Sequence, residues 1–115
     1  YTSKSWIIDA EGNHIRPGAS ESGYWRIKPN KVIELILAHS TGLAEGWLGK
    51  ISDERPAIQL ALDHAYVAPT AKGVTDGARL YGLVEGQLFT SYDMAAMGKE
   101  LQAHIWSSLE RQVEN

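Results

Sequence analysis

The four histidines are the side chains of this sequence best suited to chemistry, because imidazole can carry a proton or bind a metal near neutral pH. The chain has no cysteine, which excludes disulfides, thiol nucleophiles and thiolate metal sites. His104 is predicted near the start of a C-terminal helix, where the helix dipole favours neutral imidazole, the form that binds metals. His104 is therefore a candidate metal ligand, and a packed histidine that binds nothing is the alternative.

The other three histidines have simpler interpretations. His14 lies in a predicted turn and is expected to be solvated. His39 ends an apolar run and is expected to form hydrogen bonds at a strand end. His64 shares a predicted strand face with Ile58 and Leu60, which favours a core histidine bonded to a neighbour. The sequence contains no phosphate-binding loop, no His-Glu-x-x-His helix and no Gly-x-Ser-x-Gly nucleophile motif.

The elements that must position these side chains are mostly short strands. Apolar or alternating runs recur at intervals of roughly 10–15 residues, separated by turn residues, which is typical of an all-β sandwich or barrel. The predicted strands cover residues 3–9, 22–28, 32–39, 43–51, 57–65, 79–84 and 88–96. Residues 100–113 differ, because Leu101, Ile105 and Leu109 recur at four-residue spacing and predict an amphipathic helix.

Short connections between successive strands predict an antiparallel meander. An open meander leaves exposed edges, and closing it into an up-and-down β-barrel removes them. We therefore predict an all-β, antiparallel up-and-down β-barrel with a short C-terminal helix. The predicted strands are too few for closure, so residues 1–115 are expected to form a single barrel domain that lacks its N-terminal strands.

Composition narrows the class of partner. The net charge is −3 and the basic residues are scattered from Lys4 to Arg111, which disfavours nucleic acid. No apolar run is long enough for a membrane helix. We expect a cytoplasmic protein with a small-molecule ligand and no membrane partner. An exposed sheet edge, or the Trp106 side of the predicted helix, could form a homodimer.

Several sequence blocks resemble the nitrobindin family, and its actinobacterial members most closely. They lie in the family's order and at roughly its spacing along essentially the whole chain. The blocks are Ser-Trp at 5–6, Glu-Ser-Gly-Tyr-Trp-Arg at 21–26, Glu-Leu-Ile-Leu-Ala-His-Ser-Thr-Gly at 34–42, Arg-Leu-Tyr at 79–81 and Leu-Gln-Ala-His at 101–104.

The resemblance implies a fold, a cofactor and an activity. The fold is an antiparallel barrel of about ten strands, similar in shape to fatty-acid-binding proteins. The cofactor is ferric haem b, with His104 matching the axial ligand and Lys72 a candidate contact to a haem propionate. The implied activity is nitric oxide binding and isomerisation of peroxynitrite to nitrate, with no catalytic side chain beyond the haem.

Three departures from the family pattern keep a second interpretation open. The family's N-terminal Gly-x-Trp-x-Gly-x-Gly segment is absent. Ala19 replaces a second pocket histidine, and Ala103 replaces the proline before His104. The alternative is a haem-free barrel, which either binds an apolar ligand or is a family member without catalysis.

Overall fold

The computed structural model describes residues 1–96, 100 and 102–112, and the side chains of all of these except residues 74, 75, 96 and 103. Ten strands account for most of this part of the chain. They are β1 (Thr2–Ser3), β2 (Trp6–Ile8), β3 (His14–Pro17), β4 (Glu21–Ile27), β5 (Val32–His39), β6 (Leu43–Ile51), β7 (Ala57–Val67), β8 (Val74–Val84), β9 (Gln87–Ala96) and β10 (Gln102–Glu110). A single 3₁₀ turn, Pro29–Lys31, precedes β5.

Eight of these strands form one antiparallel sheet in the order β1-β4-β5-β6-β7-β8-β9-β10, and β2 pairs with β3. Neighbours from β4 to β10 are consecutive in the chain, as short connections require. This confirms the predicted all-β antiparallel meander. The sheet order ends at β1 and β10, which do not pair with each other in the described part of the chain.

The large sheet is strongly curled. Strands β4 and β8 are four positions apart, which would separate them by about 19 Å in a flat sheet. Yet Glu21 on β4 and Arg79 on β8 are joined by two contacts of 2.9 Å. The rings of Trp25 and Tyr81, on the same two strands, have centroids 5.0 Å apart. The sheet is therefore a half-barrel with a concave inner face.

Alternation along the strands sends large apolar side chains to this inner face. The most buried are Ile33, Leu35, Leu37, Trp47 and Leu60, which form one cluster. Leu35 pairs with Trp47, and Leu60 pairs with Arg79, so the inner face is continuous from β5 to β8. No helix in the part of the chain that the structure describes is long and apolar enough to cross a membrane.

The predicted C-terminal helix is wrong, because Gln102–Glu110 forms strand β10 and pairs with β9. Residues four apart share a face in a strand as well as in a helix, so the spacing of Ile105 and Leu109 did not distinguish the two. Ile105 pairs with Tyr92 and Leu109 with Leu88 on β9, and this pairing makes the segment a strand. Leu101, the first residue of the predicted stripe, lies outside the described residues.

Candidate functional site

Four charged or ionisable side chains meet on the inner face. Strand β4 supplies Glu21, β5 supplies His39, β6 supplies Glu45 and β8 supplies Arg79. The register places Glu21 opposite His39 and Leu37 opposite Glu45, so all face the apolar cluster. Glu45 is 3% exposed and Arg79 6% exposed. Burial of charge at this level requires partners, and the cluster provides them.

Arg79 and Glu21 form the centre of this cluster. Both terminal nitrogens of Arg79 donate to the Glu21 carboxylate at 2.9 Å, a bidentate geometry, and one also donates to the Tyr81 hydroxyl at 3.0 Å. Burial opposes ionisation of Glu21, but Arg79, helped by Tyr1 and His39, outweighs it and the pKa of Glu21 is lowered. Burial likewise disfavours the guanidinium, but Glu21 and Tyr81 raise the pKa of Arg79. Both groups are therefore charged at neutral pH.

His39 lies between the two carboxylates. Its Nε2 forms a hydrogen bond with Glu45, and its Nδ1 is 3.4 Å from Glu21. Trp47 Nε1 donates to the same Glu45 oxygen at 3.4 Å. The predicted hydrogen-bonded strand-end histidine is confirmed. In the described part of the chain, Glu45 Oε2 and Arg79 Nε are buried without a hydrogen-bond partner.

Two aromatic rings enclose the guanidinium of Arg79. Its central carbon is 4.8 Å from the centroid of the Trp47 ring and 4.5 Å from that of the Tyr92 ring. Burial and the nearby charge of Glu45 raise the pKa of Tyr92 to about 12, so its hydroxyl stays neutral. Tyr92 pairs with Ile105 of β10 and so connects the cluster to the last strand.

His104 lies at a β-bulge beside Tyr92. Ala103 pairs with Asp93 and Ile105 pairs with Tyr92, so His104 is the extra residue on β10. Bulges re-aim side chains, and here the imidazole meets the Tyr92 ring edge to face with centroids 5.6 Å apart. The side chain is exposed, and no hydrogen bond or ion pair joins it to another described residue. A ring nitrogen of His104 is therefore accessible at the inner face.

This arrangement fits a haem ligand better than a site built from protein ligands alone. In the part of the chain that the structure describes, no group of three or more His, Asp or Glu side chains could hold a metal ion. A single accessible imidazole suits a metal whose remaining positions are filled by a macrocycle. Tyr92 and Ile105 beside it offer flat and apolar surface for such a ring.

The other residues that the sequence singled out do not join His104. Lys72 is exposed in the connection between β7 and β8. Ala19 is exposed before β4, and its carbonyl accepts a hydrogen bond from the Ser5 hydroxyl. His14 is solvent-exposed as predicted, but it lies in β3 and stacks on Trp6, with ring centroids 4.9 Å apart.

The prediction of a core position for His64 is wrong, because its side chain is exposed. His64 pairs with Gly46 while Leu62 pairs with Trp47, so a bulge inserts Asp63 between them. The extra residue moves His64 to the face opposite Leu62.

A groove of about 330 Å³ lies apart from the buried charges and from His104. It is lined mainly by apolar side chains, among them Leu80, Leu83, Phe89 and Trp106. Leu80 is next to Arg79 on β8, and adjacent strand residues point to opposite faces. The groove therefore belongs to the outer face of the half-barrel, whereas the buried charges and His104 belong to the inner face.

Sequence reasoning missed Glu45, Arg79 and Tyr92. The available signal was an isolated charge at a position whose alternation places it on a core face, as with Glu45 two residues before Trp47. A charge at such a position needs a partner on another strand. The sequence does not show which strand provides it.

The chain is similar to several known proteins along nearly its whole length. A family model for the THAP4-like, heme-binding beta-barrel domain matches residues 1–111. A peroxynitrite isomerase from Nocardioides sp. is 46% identical over 112 residues, covering 97% of this chain and 67% of that protein. A ferric nitrobindin-like protein from Streptomyces griseus is 33% identical, covering 98% of this chain and 60% of that protein.

The chain is also similar to a solved structure along almost its whole length. The crystal structure of Rv2717c from M. tuberculosis has a TM-score of 0.84 and 36% sequence identity, covering 98% of this chain and 71% of that one. This chain thus spans about three fifths to two thirds of the length of the two curated relatives.

Proposed function

Because the chain belongs to the family of THAP4-like, heme-binding beta-barrel domains, the nitrobindin family, we propose that it binds haem b through His104 and isomerises peroxynitrite to nitrate. The observation that carries the proposal is the accessible imidazole of His104, held at a bulge on the inner face beside Tyr92. The names of the relatives from Nocardioides and Streptomyces supply the activity and the oxidation state of the iron.

When bound, haem supplies a Lewis-acidic ferric iron for the rearrangement of peroxynitrite. His104 would hold the iron through a ring nitrogen. Conversion of the peroxynitrite anion to nitrate conserves atoms, electrons and charge, so the chain need not deliver a proton. This agrees with Ala19, which has no proton to donate where family members carry a second histidine.

The proposal also covers a second ligand, a propionate contact, the location of the protein and its assembly. Nitric oxide as a second ligand comes from the resemblance to nitrobindins. Lys72 is exposed and cationic, as a contact to a propionate requires, and this role stays a prediction. A cytoplasmic location and a homodimer also stay predictions.

Titration with haemin, followed by the ferric Soret band, tests the ligand. The wild-type protein is expected to give a sharp band that saturates at one equivalent. His104→Ala is expected to lose it, because no other accessible imidazole lies at that bulge. His64→Ala is the matched control, since His64 is also exposed on a strand but on the outer face.

The activity is tested by mixing the haemin-loaded protein with peroxynitrite and measuring nitrate against nitrite. A higher nitrate yield that requires His104 supports isomerisation. A weak, broad band that is identical in wild type and His104→Ala would contradict the proposal. That outcome would favour the haem-free barrel, and native mass spectrometry would then be used to look for a bound apolar ligand.

A further inference from the structure

Few contacts from its own strand fix the orientation of the His104 imidazole. Strand β10 is the last strand in the order of the sheet, and the bulge leaves His104 without a direct partner on β9. Its ring nitrogens have no hydrogen-bond partner among the described residues. Histidine ligands usually donate their second N–H to an acceptor that fixes the ring orientation. The fixing contact at His104 must therefore come from something else.

Tyr92 provides that contact. Its ring meets the imidazole at an interplanar angle of 83°, an edge-to-face geometry that aromatic pairs prefer. Tyr92 sits opposite the bulge, on the strand that pairs with β10 along nearly its full length. Tyr92 therefore belongs to β9, which pairs with a strand on each side, whereas β10 is the last strand in the order of the sheet.

Two inner-face side chains, Arg79 and Trp47, pack against Tyr92. The Arg79 guanidinium lies 4.5 Å from its ring centroid, and the Trp47 ring packs against it with centroids 5.8 Å apart. Two hydrogen bonds to the Glu21 carboxylate fix the position of the Arg79 guanidinium. A continuous set of contacts therefore runs from the buried ion pair, through Tyr92, to the imidazole of His104.

We infer that Tyr92 is the positioning residue of the haem ligand, fixing the orientation of the His104 ring from the inner face. The inference rests on the proposed function, since it concerns the same imidazole. It assigns to the buried Glu21–Arg79 pair a role in supporting Tyr92. Tyr92 contacts His104 through its ring, so this contact does not require the hydroxyl.

The experiment compares Tyr92→Leu, Tyr92→Phe and the matched control Tyr66→Leu, whose tyrosine is exposed on β7. Loss of the aromatic contact in Tyr92→Leu is expected to weaken haemin binding by about 3- to 10-fold. It should also change the ferric spectrum toward a mixture of ligation states. Tyr92→Phe and Tyr66→Leu should match the wild type in both.

A second readout needs no haem. In the apo protein, the edge-to-face ring of Tyr92 should displace the NMR signals of the His104 imidazole protons. This displacement should persist in Tyr92→Phe and disappear in Tyr92→Leu. It would be measured beside the unfolding midpoint of each variant, which reports any purely structural loss.

The outcomes separate the two ideas. If wild-type protein binds no haemin through His104, the proposed function fails, whereas the NMR shift still decides whether Tyr92 fixes the ring. If wild type binds haemin and His104→Ala does not, yet Tyr92→Leu leaves affinity, spectrum and NMR shift unchanged, the positioning role is overturned. An equal effect of Tyr66→Leu would also overturn it.

Discussion

Replacing Arg79 with methionine should be among the most damaging single changes to the stability of this protein. The substitution preserves much of the side-chain volume but leaves the largely buried carboxylate of Glu21 without its cation. Breaking a buried pair in this way costs about 3–5 kcal/mol. Loss of the cation–π contacts with Trp47 and Tyr92 adds roughly 1 kcal/mol, partly offset by methionine packing on the rings.

A loss of about 4 kcal/mol is a large part of the roughly 5–15 kcal/mol that stabilises a typical domain. We expect Arg79→Met to be folded but to unfold at much lower urea concentration. Glu21→Gln should cost about 2–3 kcal/mol, because it leaves the guanidinium buried with a weaker partner. The double variant should lose less free energy of unfolding than the two single variants lose together, since neither charge then remains unpaired.

Urea unfolding, followed by tryptophan fluorescence, gives the free energy of unfolding of the wild type, the two single variants and the double variant. Together these four values give the coupling energy of the pair. We expect about 2–3 kcal/mol for Glu21 and Arg79. Arg26 and Glu34 form the matched control, because they are 3.4 Å apart but partly exposed, with expected coupling below about 0.5 kcal/mol. If the two pairs give the same small coupling, burial does not strengthen the Glu21–Arg79 pair and the reasoning is refuted.

Two further predictions concern pH and backbone packing. Because the folded pKa of Glu21 lies below its unfolded value, its stabilisation is present above the unfolded pKa and is lost as pH falls through the folded pKa. Urea midpoints should therefore fall on acidification, less steeply in Glu21→Gln, and equal slopes would contradict this. Gly49→Ala places a Cβ 1.8 Å from a carbonyl oxygen of β7 and should lower stability by about 1–3 kcal/mol. Gly46→Ala, with nothing within 4 Å, should stay within about 0.5 kcal/mol in the same unfolding assay, and equal losses would contradict the clash.

Much of the sheet could be predicted because alternation is a local signal. A strand was predicted over residues 32–39, and its alternate residues Ile33, Leu35 and Leu37 are all buried on the inner face. His39 follows the same alternation and forms the predicted hydrogen bonds. The period of two carries this information without knowledge of any partner strand.

Other elements could not be predicted, because their structure depends on pairing. The four-residue spacing of Ile105 and Leu109 fits a helix and a strand equally, and pairing with β9 decided between them. His64 was placed on the wrong face because the bulge at Asp63 depends on how β7 pairs with β6. Bulges change register without a reliable local sequence signal.

The sequence by itself determined most of the strand pattern, the apolar face of those strands, the resemblance to the nitrobindins and the prediction of His104 as a candidate ligand. Only the tertiary structure brought Glu21 to Arg79 across the three strands between them and placed Tyr92 between that pair and His104. The physical reason is the curl of the sheet, which is a property of the assembled strands. Side chains 58 positions apart in the chain became direct partners because the strands between them bend into a half-barrel.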